Sequence, residues 1–165
     1  MNAIAHRRSH PVLTAALAAL AVGGLGVLTT ELGSWYLQLR KPAWQPPDWL
    51  FGPAWTLIFA LAALAGVLYW RDHVDRDDRQ RVLAAFAINA FLNTLWSLLF
   101  FRMQRPDWAL YEVGFLWFSI LALIVLLKRG SIAAGWLLVP YLAWVSFAAC
   151  LNWAIVELNA PFPGR

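Results

Sequence analysis

Five long apolar runs fill most of this chain, and they limit the folds open to it more than any other feature. They cover residues 12–30, 51–70, 82–101, 108–127 and 132–156 of a 165-residue sequence. A run of about 20 apolar residues has the length of a helix that crosses a membrane. Charged residues make up only 13% of the sequence, against about 25% in an average soluble domain. We therefore predict an all-α polytopic membrane protein, a bundle of five transmembrane helices in one domain (12–159) with short tails (1–11 and 160–165).

The first apolar run has two interpretations. It follows Arg7 and Arg8, and so it also resembles the n-region and h-region of a signal peptide. Its apolar length is at the long end for an h-region, so we expect it to stay in the protein as the first span. Ala15, Ala19 and Gly23 lie four residues apart in this run. Such small residues permit close helix contact, either within the bundle or across a dimer interface.

The distribution of Lys and Arg predicts how the chain is oriented. With five spans, the N-terminal tail, the second loop and the fourth loop share one side of the membrane, which carries eight of these residues, and the opposite side carries five. Since basic residues are enriched on the cytoplasmic side, we expect the N-terminus inside and the first loop outside. At most two basic residues follow each other anywhere in the chain, which argues against a nucleic acid as partner.

The second loop, RDHVDRDDRQR, mixes acids and bases in an ordered way. An acid precedes an arginine by four residues in three pairs, Asp72–Arg76, Asp75–Arg79 and Asp77–Arg81. This spacing stabilises a helix. We expect the second and third spans to continue as helices almost into a short turn, with a solvated face rather than a functional site.

Polar and aromatic side chains recur on one side of several predicted spans. At about 100° per residue, each set shares a helix face: Trp55 and Phe59 in span two; Asn89, Asn93, Trp96 and Ser97 in span three; Glu112 and Ser119 in span four; Tyr141, Trp144, Ala148 and Asn152 in span five. Because polar groups are costly in hydrocarbon, we expect these faces to meet. Rings with a few amides predict a pocket for a flat, mostly apolar ligand with polar edges. An ion pathway would instead need rings of charges or carbonyls.

Two other interpretations remain open from the residues alone. The asparagines can serve as hydrogen bonds between helices. Tryptophans near span ends can belong to the aromatic belt at the membrane interface, namely Trp35, Trp70, Trp108 and Trp136. Trp144 fits a belt poorly because it falls in the middle of span five, and Trp55 fits either interpretation.

Motifs of soluble enzymes and of metal sites are not recognisable. The sequence contains no GxGxxG, P-loop, HExxH or nucleophile elbow. Its single cysteine, Cys150, excludes a disulfide framework. We predict neither a metal site nor an obligatory cofactor.

Several long motifs resemble the TspO/MBR family, the translocator proteins once called peripheral-type benzodiazepine receptors. They are WYLQLRKPAWQPPDWLFGPAWT at 35–56, NTLWSLLFF at 93–101, the stretch Pro106–Glu112, and LLVPYLAWVSFAACLN at 137–152. They follow one another in family order, as in a bacterial-type member. The resemblance implies five transmembrane helices and a first loop, rich in proline and tryptophan, that folds over a ligand pocket as a lid.

The resemblance also implies a class of ligand. Family members bind tetrapyrroles such as protoporphyrin IX and haem, and some bind cholesterol and synthetic ligands. A light- and oxygen-dependent breakdown of protoporphyrin is associated with two family tryptophans, which match Trp55 and Trp144. The span-three asparagine of the family matches Asn93, and its pocket alanine matches Ala148.

The predicted ligand site combines the inward helix faces with the lid. It consists of Trp35, Tyr36, Pro47, Trp55, Phe59, Asn93, Ser97, Tyr141, Trp144, Ala148 and Asn152. Trp55 and Trp144 would be catalytic if porphyrin degradation takes place. Three family features are changed: two positions of a proposed cholesterol motif are Trp153 and Glu157, a pocket tyrosine is Phe59, and a first-loop histidine of some members is Gln45. No histidine lies in the spans, so we expect porphyrin held by stacking rather than haem held by coordination.

Four classes of function follow. We predict a membrane protein that binds tetrapyrroles and senses, sequesters or transports them in stress regulation, as a homodimer in a bacterial cell membrane. One alternative is an enzyme that degrades porphyrin with light and oxygen. A transporter, for example of sterols or other lipids, is another, although secondary transporters often carry inverted repeats and midplane charges that this sequence lacks. The last is a scaffold that acts through its dimer interface.

Overall fold

A computed structural model of the chain describes Gly24, residues 33–72 and residues 75–162. In this part of the chain the regular structure is helical, without strands. The helices are α1 (Ser34–Gln38), α2 (Phe51–Asp72), α3 (Arg76–Ser97), α4 (Pro106–Gly130), α5 (Ile132–Leu137) and α6 (Val139–Asn159), with a 3-10 turn (Asp48–Leu50) before α2 and a π-helical turn (Leu98–Arg102) after α3. Apart from Gly24, which is helical, the predicted first span lies outside the described residues, as does the N-terminal tail.

Among the described residues, four helical stretches are long and apolar enough to cross a membrane. They are Asp48–Arg71, Arg76–Arg102, Pro106–Gly130 and Ile132–Asn159. They confirm the predicted all-α, polytopic membrane fold. Each stretch is a few residues longer than the corresponding apolar run, because the helix continues into polar residues at its ends.

Local sequence explains where α3 and α4 begin. The Asp75 carboxylate caps α3 by accepting hydrogen bonds from the backbone amides of Asp77 (2.8 Å) and Asp78 (3.0 Å). Pro106 opens α4, at a position where its missing N–H costs no helical hydrogen bond. Both starts are therefore encoded within a few residues of sequence.

The second loop is short, as predicted, since α2 ends at Asp72 and α3 begins at Arg76. One ion pair at the start of α3 differs from the predicted register. Arg81 Nη1 lies 3.2 Å from Asp78 Oδ1, three residues earlier, instead of pairing with Asp77. Spacings of three and four residues both place an acid and a base on the same helix face, and side-chain rotamers decide between them.

The last span departs from a single helix. α5 ends at Leu137 and α6 begins at Val139, with Leu138 in a turn between them. Pro140 stands in the first turn of α6 and has no N–H to donate to a carbonyl one turn earlier. The helical ladder is therefore interrupted, which the apolar run by itself did not indicate.

α4 lies at the centre of the described bundle, in contact with α2, α3, α5 and α6. Its buried side chains follow the helical period: Leu116, Ile120 and Leu127 are only 0–2% exposed. α5 approaches α4 very closely, because a Cβ on Gly135 would lie 3.0 Å from the carbonyl oxygen of Ile124. The absence of a side chain at Gly135 therefore sets the distance between α4 and α5.

The π-helical turn shapes the end of α3. It closes with a hydrogen bond from Met103 N to Leu98 O (2.8 Å), five residues back. Phe100 and Phe101 are neighbours in this turn, and both rings contact α1. The chain then reverses at Gln104, whose φ of 56° is left-handed. Single π turns within helices are frequent at functional sites.

Candidate functional site

Asp48 organises the first loop. Its carboxylate accepts hydrogen bonds from the Tyr36 hydroxyl (2.9 Å) and the Gln45 side-chain amide (3.0 Å), and Lys41 Nζ lies 3.5 Å from it. Lys41 Nζ also lies 3.6 Å from the centre of the Tyr36 ring. Burial and the hydrogen bond to Asp48 raise the pKa of the Tyr36 hydroxyl, which keeps it protonated as a donor. Both halves of the loop are thus tied to one carboxylate.

Asn159 joins this loop to the end of α6. Its side-chain oxygen accepts a hydrogen bond from Arg40 N, and its amide nitrogen donates to Arg40 O, both at 2.8 Å. The same nitrogen also donates to Ile155 O within α6, at 2.8 Å. One amide side chain therefore satisfies both backbone groups of Arg40 and fixes the loop across the end of the bundle.

Aromatic rings add to the contact between the loop and the bundle. The ring pairs are Trp35–Phe100 (6.2 Å between centroids), Tyr36–Phe101 (5.6 Å) and Trp44–Phe147 (5.8 Å). Ring pairs of this geometry contribute about 0.5–1.5 kcal/mol each beyond the area they bury. The first loop is consequently held against the π-helical turn and α6 by three ring contacts as well as by Asn159.

Trp144 lies in an aromatic cluster that begins at the loop. Its ring lies between Phe51 and Phe147, with centroid distances of 5.7 and 5.5 Å. Phe147 contacts Trp44 in the loop. Because Trp144 precedes the end of α6 by 15 residues, or about 22 Å of helix, this cluster leads from the loop towards the membrane interior.

Trp55 lies in a neighbouring cluster. It stacks on Phe59, one turn later in α2, with a centroid distance of 5.4 Å, and it meets Tyr141 edge-on at 6.0 Å. Tyr141 and Trp144 are three residues apart on α6. The two predicted catalytic tryptophans therefore belong to adjacent clusters on one side of α6.

The predicted polar faces of α3 and α6 meet in a hydrogen-bond network. Asn93 Nδ2 donates to the Tyr141 hydroxyl (3.1 Å), which donates to Asn89 Oδ1 (3.2 Å). Asn89 Nδ2 donates to Ser119 Oγ of α4 (2.8 Å). Both asparagines and Tyr141 are buried. The asparagines thus form hydrogen bonds between three helices, which is one of the two interpretations that the sequence left open. Their contact with a ligand stays a prediction.

The remaining predicted residues lie around this network. With its amide oriented by its neighbours, Asn152 donates to the carbonyl of Pro106 (3.0 Å) and links α6 to the start of α4. Ser97 is buried at the end of α3, and Ala148 is half-buried on α6. Pro47 is exposed, just before the 3-10 turn.

Some buried polar atoms lack a protein partner. Within residues 33–72 and 75–162 they include Trp144 Nε1 and both carboxyl oxygens of Glu112. Leaving such a group unpaired costs about 1–3 kcal/mol, so a ligand that pairs with it gains affinity. The indole nitrogen is a donor only. It therefore suits a ligand with an acceptor near its aromatic rings.

Tryptophans at other helix ends lie beside cations. Measured to the ring centre, Arg79 lies 4.5 Å from Trp70, Arg105 lies 4.3 Å from Trp108, and Lys128 lies 4.2 Å from Trp136. Amphipathic rings and long basic side chains are typical of the membrane interface. These three tryptophans fit the belt interpretation.

The residues of the site suit an organic ligand. In the described part of the chain, His, Cys, Asp and Glu form no group of three or more that would hold a metal ion. Cys150 is exposed. What the clusters around Trp55 and Trp144 offer is aromatic surface, amides and the buried indole N–H of Trp144.

Sequence reasoning missed four residues that build this region: Asp48, Phe51, Phe147 and Asn159. Asp48 did carry a signal, since it is the only acid between residues 33 and 71. The two phenylalanines look like any apolar residue of a span. Asn159 pairs with a residue 119 positions away, and no local pattern identifies such a contact.

Comparison with known proteins agrees with this architecture. A profile of the TspO/MBR family matches residues 13–158. The tryptophan-rich protein TspO of Chlorobaculum tepidum is 42% identical over 158 residues, which cover 90% of this chain and 97% of that relative. The tryptophan-rich sensory protein of Cereibacter sphaeroides is 36% identical over 125 residues (76% and 77%), and the translocator protein of Homo sapiens is 31% identical over 131 residues (79% and 78%). The chain therefore belongs to the TspO/MBR family and is a multi-pass integral membrane protein.

Proposed function

We propose that the protein binds a tetrapyrrole, protoporphyrin IX or haem, within the membrane and uses this binding to sense or sequester it. The observation that carries the proposal is Trp144, whose buried indole N–H has no acceptor among the described residues while its ring lies between two phenylalanines. A porphyrin supplies this acceptor and adds aromatic surface. Its flat macrocycle offers a surface to the aromatic rings, and its carboxylates accept hydrogen bonds from N–H groups.

The names of relatives support a role in sensing or transport. One relative is named a sensory protein and another a translocator protein. We favour sensing or sequestration because the polar groups of α3, α4 and α6 bond to one another. A transport path needs polar groups that are free to bind a moving substrate.

The proposal extends to the setting of the protein. Its membrane is a bacterial cell membrane, with the N-terminus inside and the first loop outside, supported by the Lys and Arg distribution. Its active form is a homodimer, supported by the small residues of the first apolar run. The tetrapyrrole is a ligand, and no obligatory cofactor is part of the proposal.

A titration with protoporphyrin IX in the dark tests the site. Quenching of tryptophan fluorescence is followed for the purified full chain, for Trp144→Phe and for the control Trp153→Phe. Trp153 lies on the same helix but is 58% exposed, so its replacement removes one indole away from the proposed site. We expect saturable binding in the low micromolar range for wild type and control, and at least tenfold weaker binding for Trp144→Phe, about 1.4 kcal/mol.

The other outcomes of this titration are equally informative. Equal, non-saturating quenching in all three proteins would contradict tetrapyrrole binding, because porphyrin would then only partition into detergent. Saturable binding with the same affinity in all three would keep the ligand but exclude Trp144 from its site.

Degradation of porphyrin with light and oxygen is the second candidate function, and the environment of Trp55 favours it. The Trp55 ring contacts Tyr141, whose hydroxyl already donates its proton towards Asn89 Oδ1. Two oxidisable rings in contact suit transfer of one electron to a light-excited ligand, with oxygen as the final oxidant. Illumination of the titration samples separates the two functions. A product that forms only in light, and in a smaller amount with Trp55→Phe, supports an enzyme. Bleaching of the porphyrin at the same rate as without protein supports binding alone.

A further inference from the structure

A cleft of about 410 Å³ lies at the other end of the bundle, between the last turn of α2 and the first turns of α3. It is lined by Trp70, Arg76, Arg79, Gln80 and Leu83. We propose that this cleft binds the phosphate headgroup of an anionic phospholipid, whose acyl chain lies along the apolar face of α3. This site is separate from the tetrapyrrole site and does not depend on it.

The cleft contains hydrogen-bond donors that the protein does not use. Arg79 Nη2 donates to the Trp70 carbonyl (2.7 Å), but Arg79 Nε is buried and has no partner among the described residues. The side chains of Arg76 and Gln80 form no hydrogen bond or ion pair with the rest of the described chain. Guanidinium groups present several N–H donors in a fixed plane, which matches the oxygens of a phosphate.

An apolar track begins at the cleft and continues along α3. Leu83 lines the cleft and is 50% exposed, and Phe91, eight residues further along the helix, is 65% exposed. Eight residues are about two turns, or 12 Å, so both side chains lie on one face. Trp70, at the end of α2, is a ring type enriched at the headgroup level. The headgroup site and the apolar track are therefore adjacent. A phospholipid requires both, whereas a free anion would need only the headgroup site.

Both charged residues that line the cleft, Arg76 and Arg79, are basic. Asp78 is paired with Arg81 and lines a different cleft together with Arg129. Asp75 caps α3 through its carboxylate. The proposed orientation places this end of the bundle at the cytoplasmic leaflet, where anionic lipids concentrate and where each basic residue contributes to their attraction.

Native mass spectrometry of the full chain in detergent tests the proposal, with phosphatidylglycerol, phosphatidylcholine and inorganic phosphate as probes. Arg76→Gln removes one guanidinium from the cleft, and the control Arg129→Gln removes the same charge at the same end but outside it. We expect phosphatidylglycerol to bind wild type and control equally, and Arg76→Gln at least fivefold more weakly, about 1 kcal/mol. We expect phosphatidylcholine to bind wild type at least fivefold more weakly than phosphatidylglycerol.

Three outcomes would overturn the proposal. Equal weakening in both variants would indicate diffuse attraction by charge, without a site. Equal binding of the two lipids would mean that the headgroup charge is not recognised. The third outcome combines two results: inorganic phosphate displaces the lipid at an equal concentration, and Leu83→Gln leaves the affinity for the lipid unchanged. Together they would identify a free phosphate as the occupant. The Arg76 side chain is exposed, so an unchanged unfolding midpoint is the control for folding.

Discussion

Among single residues, Tyr141 connects the largest number of features of the candidate site. Its hydroxyl accepts from Asn93 and donates to Asn89, so that it joins α6 to α3. Its ring also meets Trp55 of α2 edge-on. In the membrane interior no water replaces a lost partner, so the two amides depend on this hydroxyl. Tyr141 therefore supports the packing of the site whether or not it touches a ligand.

Tyr141→Phe removes the hydroxyl and keeps the ring. We expect this change to lower the free energy of unfolding by about 1–2 kcal/mol, because two interhelical hydrogen bonds are lost in a buried place. Unfolding by sodium dodecyl sulfate in mixed micelles, followed by circular dichroism, measures the effect. Tyr111→Phe is the control, since Tyr111 lies on α4 but is 79% exposed. If both variants unfold at the same detergent fraction, the network does not stabilise the fold.

Among the helices that form the predicted spans, α5 depends most on its surroundings. A helix of six residues is not stable in isolation, so α5 persists because it packs against its neighbours α4 and α2. Gly135 allows this contact: an added Cβ would meet Lys128 Cγ at 2.2 Å as well as the backbone of Ile124. The Lys128 side chain is itself held by Trp136, whose ring centre lies 4.2 Å from its Nζ.

Gly135→Ala should separate α5 from α4. Neither the Ile124 carbonyl nor the inner part of the Lys128 side chain moves easily, so we expect a loss of about 1–3 kcal/mol in stability. Gly114→Ala is the matched control, because a Cβ there meets nothing within 4 Å, and alanine in a helix gains up to about 1 kcal/mol over glycine. Thermal unfolding in detergent measures both. Equal midpoints would show that α5 adjusts its position at no cost.

For the molecule as a whole, the first loop is the part best placed to control access to the candidate site. It is bound at one end to Asn159 through Arg40 and in the middle to Phe147 through Trp44. Within the loop, Asp48 gathers the polar side chains. None of these contacts belongs to the helical ladders, so we expect the loop to open more readily than the bundle unfolds.

Asn159→Ala should release the loop selectively. Two hydrogen bonds to Arg40 are lost, each worth about 0.5–1.5 kcal/mol, so we expect the Arg40 amide to exchange with deuterium roughly tenfold faster, equivalent to about 1.4 kcal/mol. Amides in α3 and α4 should keep their protection. Hydrogen exchange with mass spectrometry measures this, with Glu157→Ala as control because Glu157 is exposed on the same helix end. Faster exchange throughout the bundle would instead mean that Asn159 stabilises the whole fold.

The sequence by itself determined the class of the protein, because length and apolar character are local properties of a run. It identified the spans that become α2, α3 and α4, the small size of the second loop, and the faces on which Asn93 and Tyr141 stand. The resemblance of its motifs also identified the family. The break at Leu138 was less visible, because Pro140 stands inside an apolar run and only the missing hydrogen bond reveals the interruption.

Only the tertiary structure decided which side chains meet. Periodicity places Asn89 and Asn93 on one face but does not say that Tyr141, 52 and 48 residues away, bonds to both. The contact of Asn159 with Arg40 spans 119 positions, and the ring of Trp144 on α6 meets Phe51, which opens α2. Such contacts depend on how the helices are arranged in space, and no pattern within a single helix contains that information.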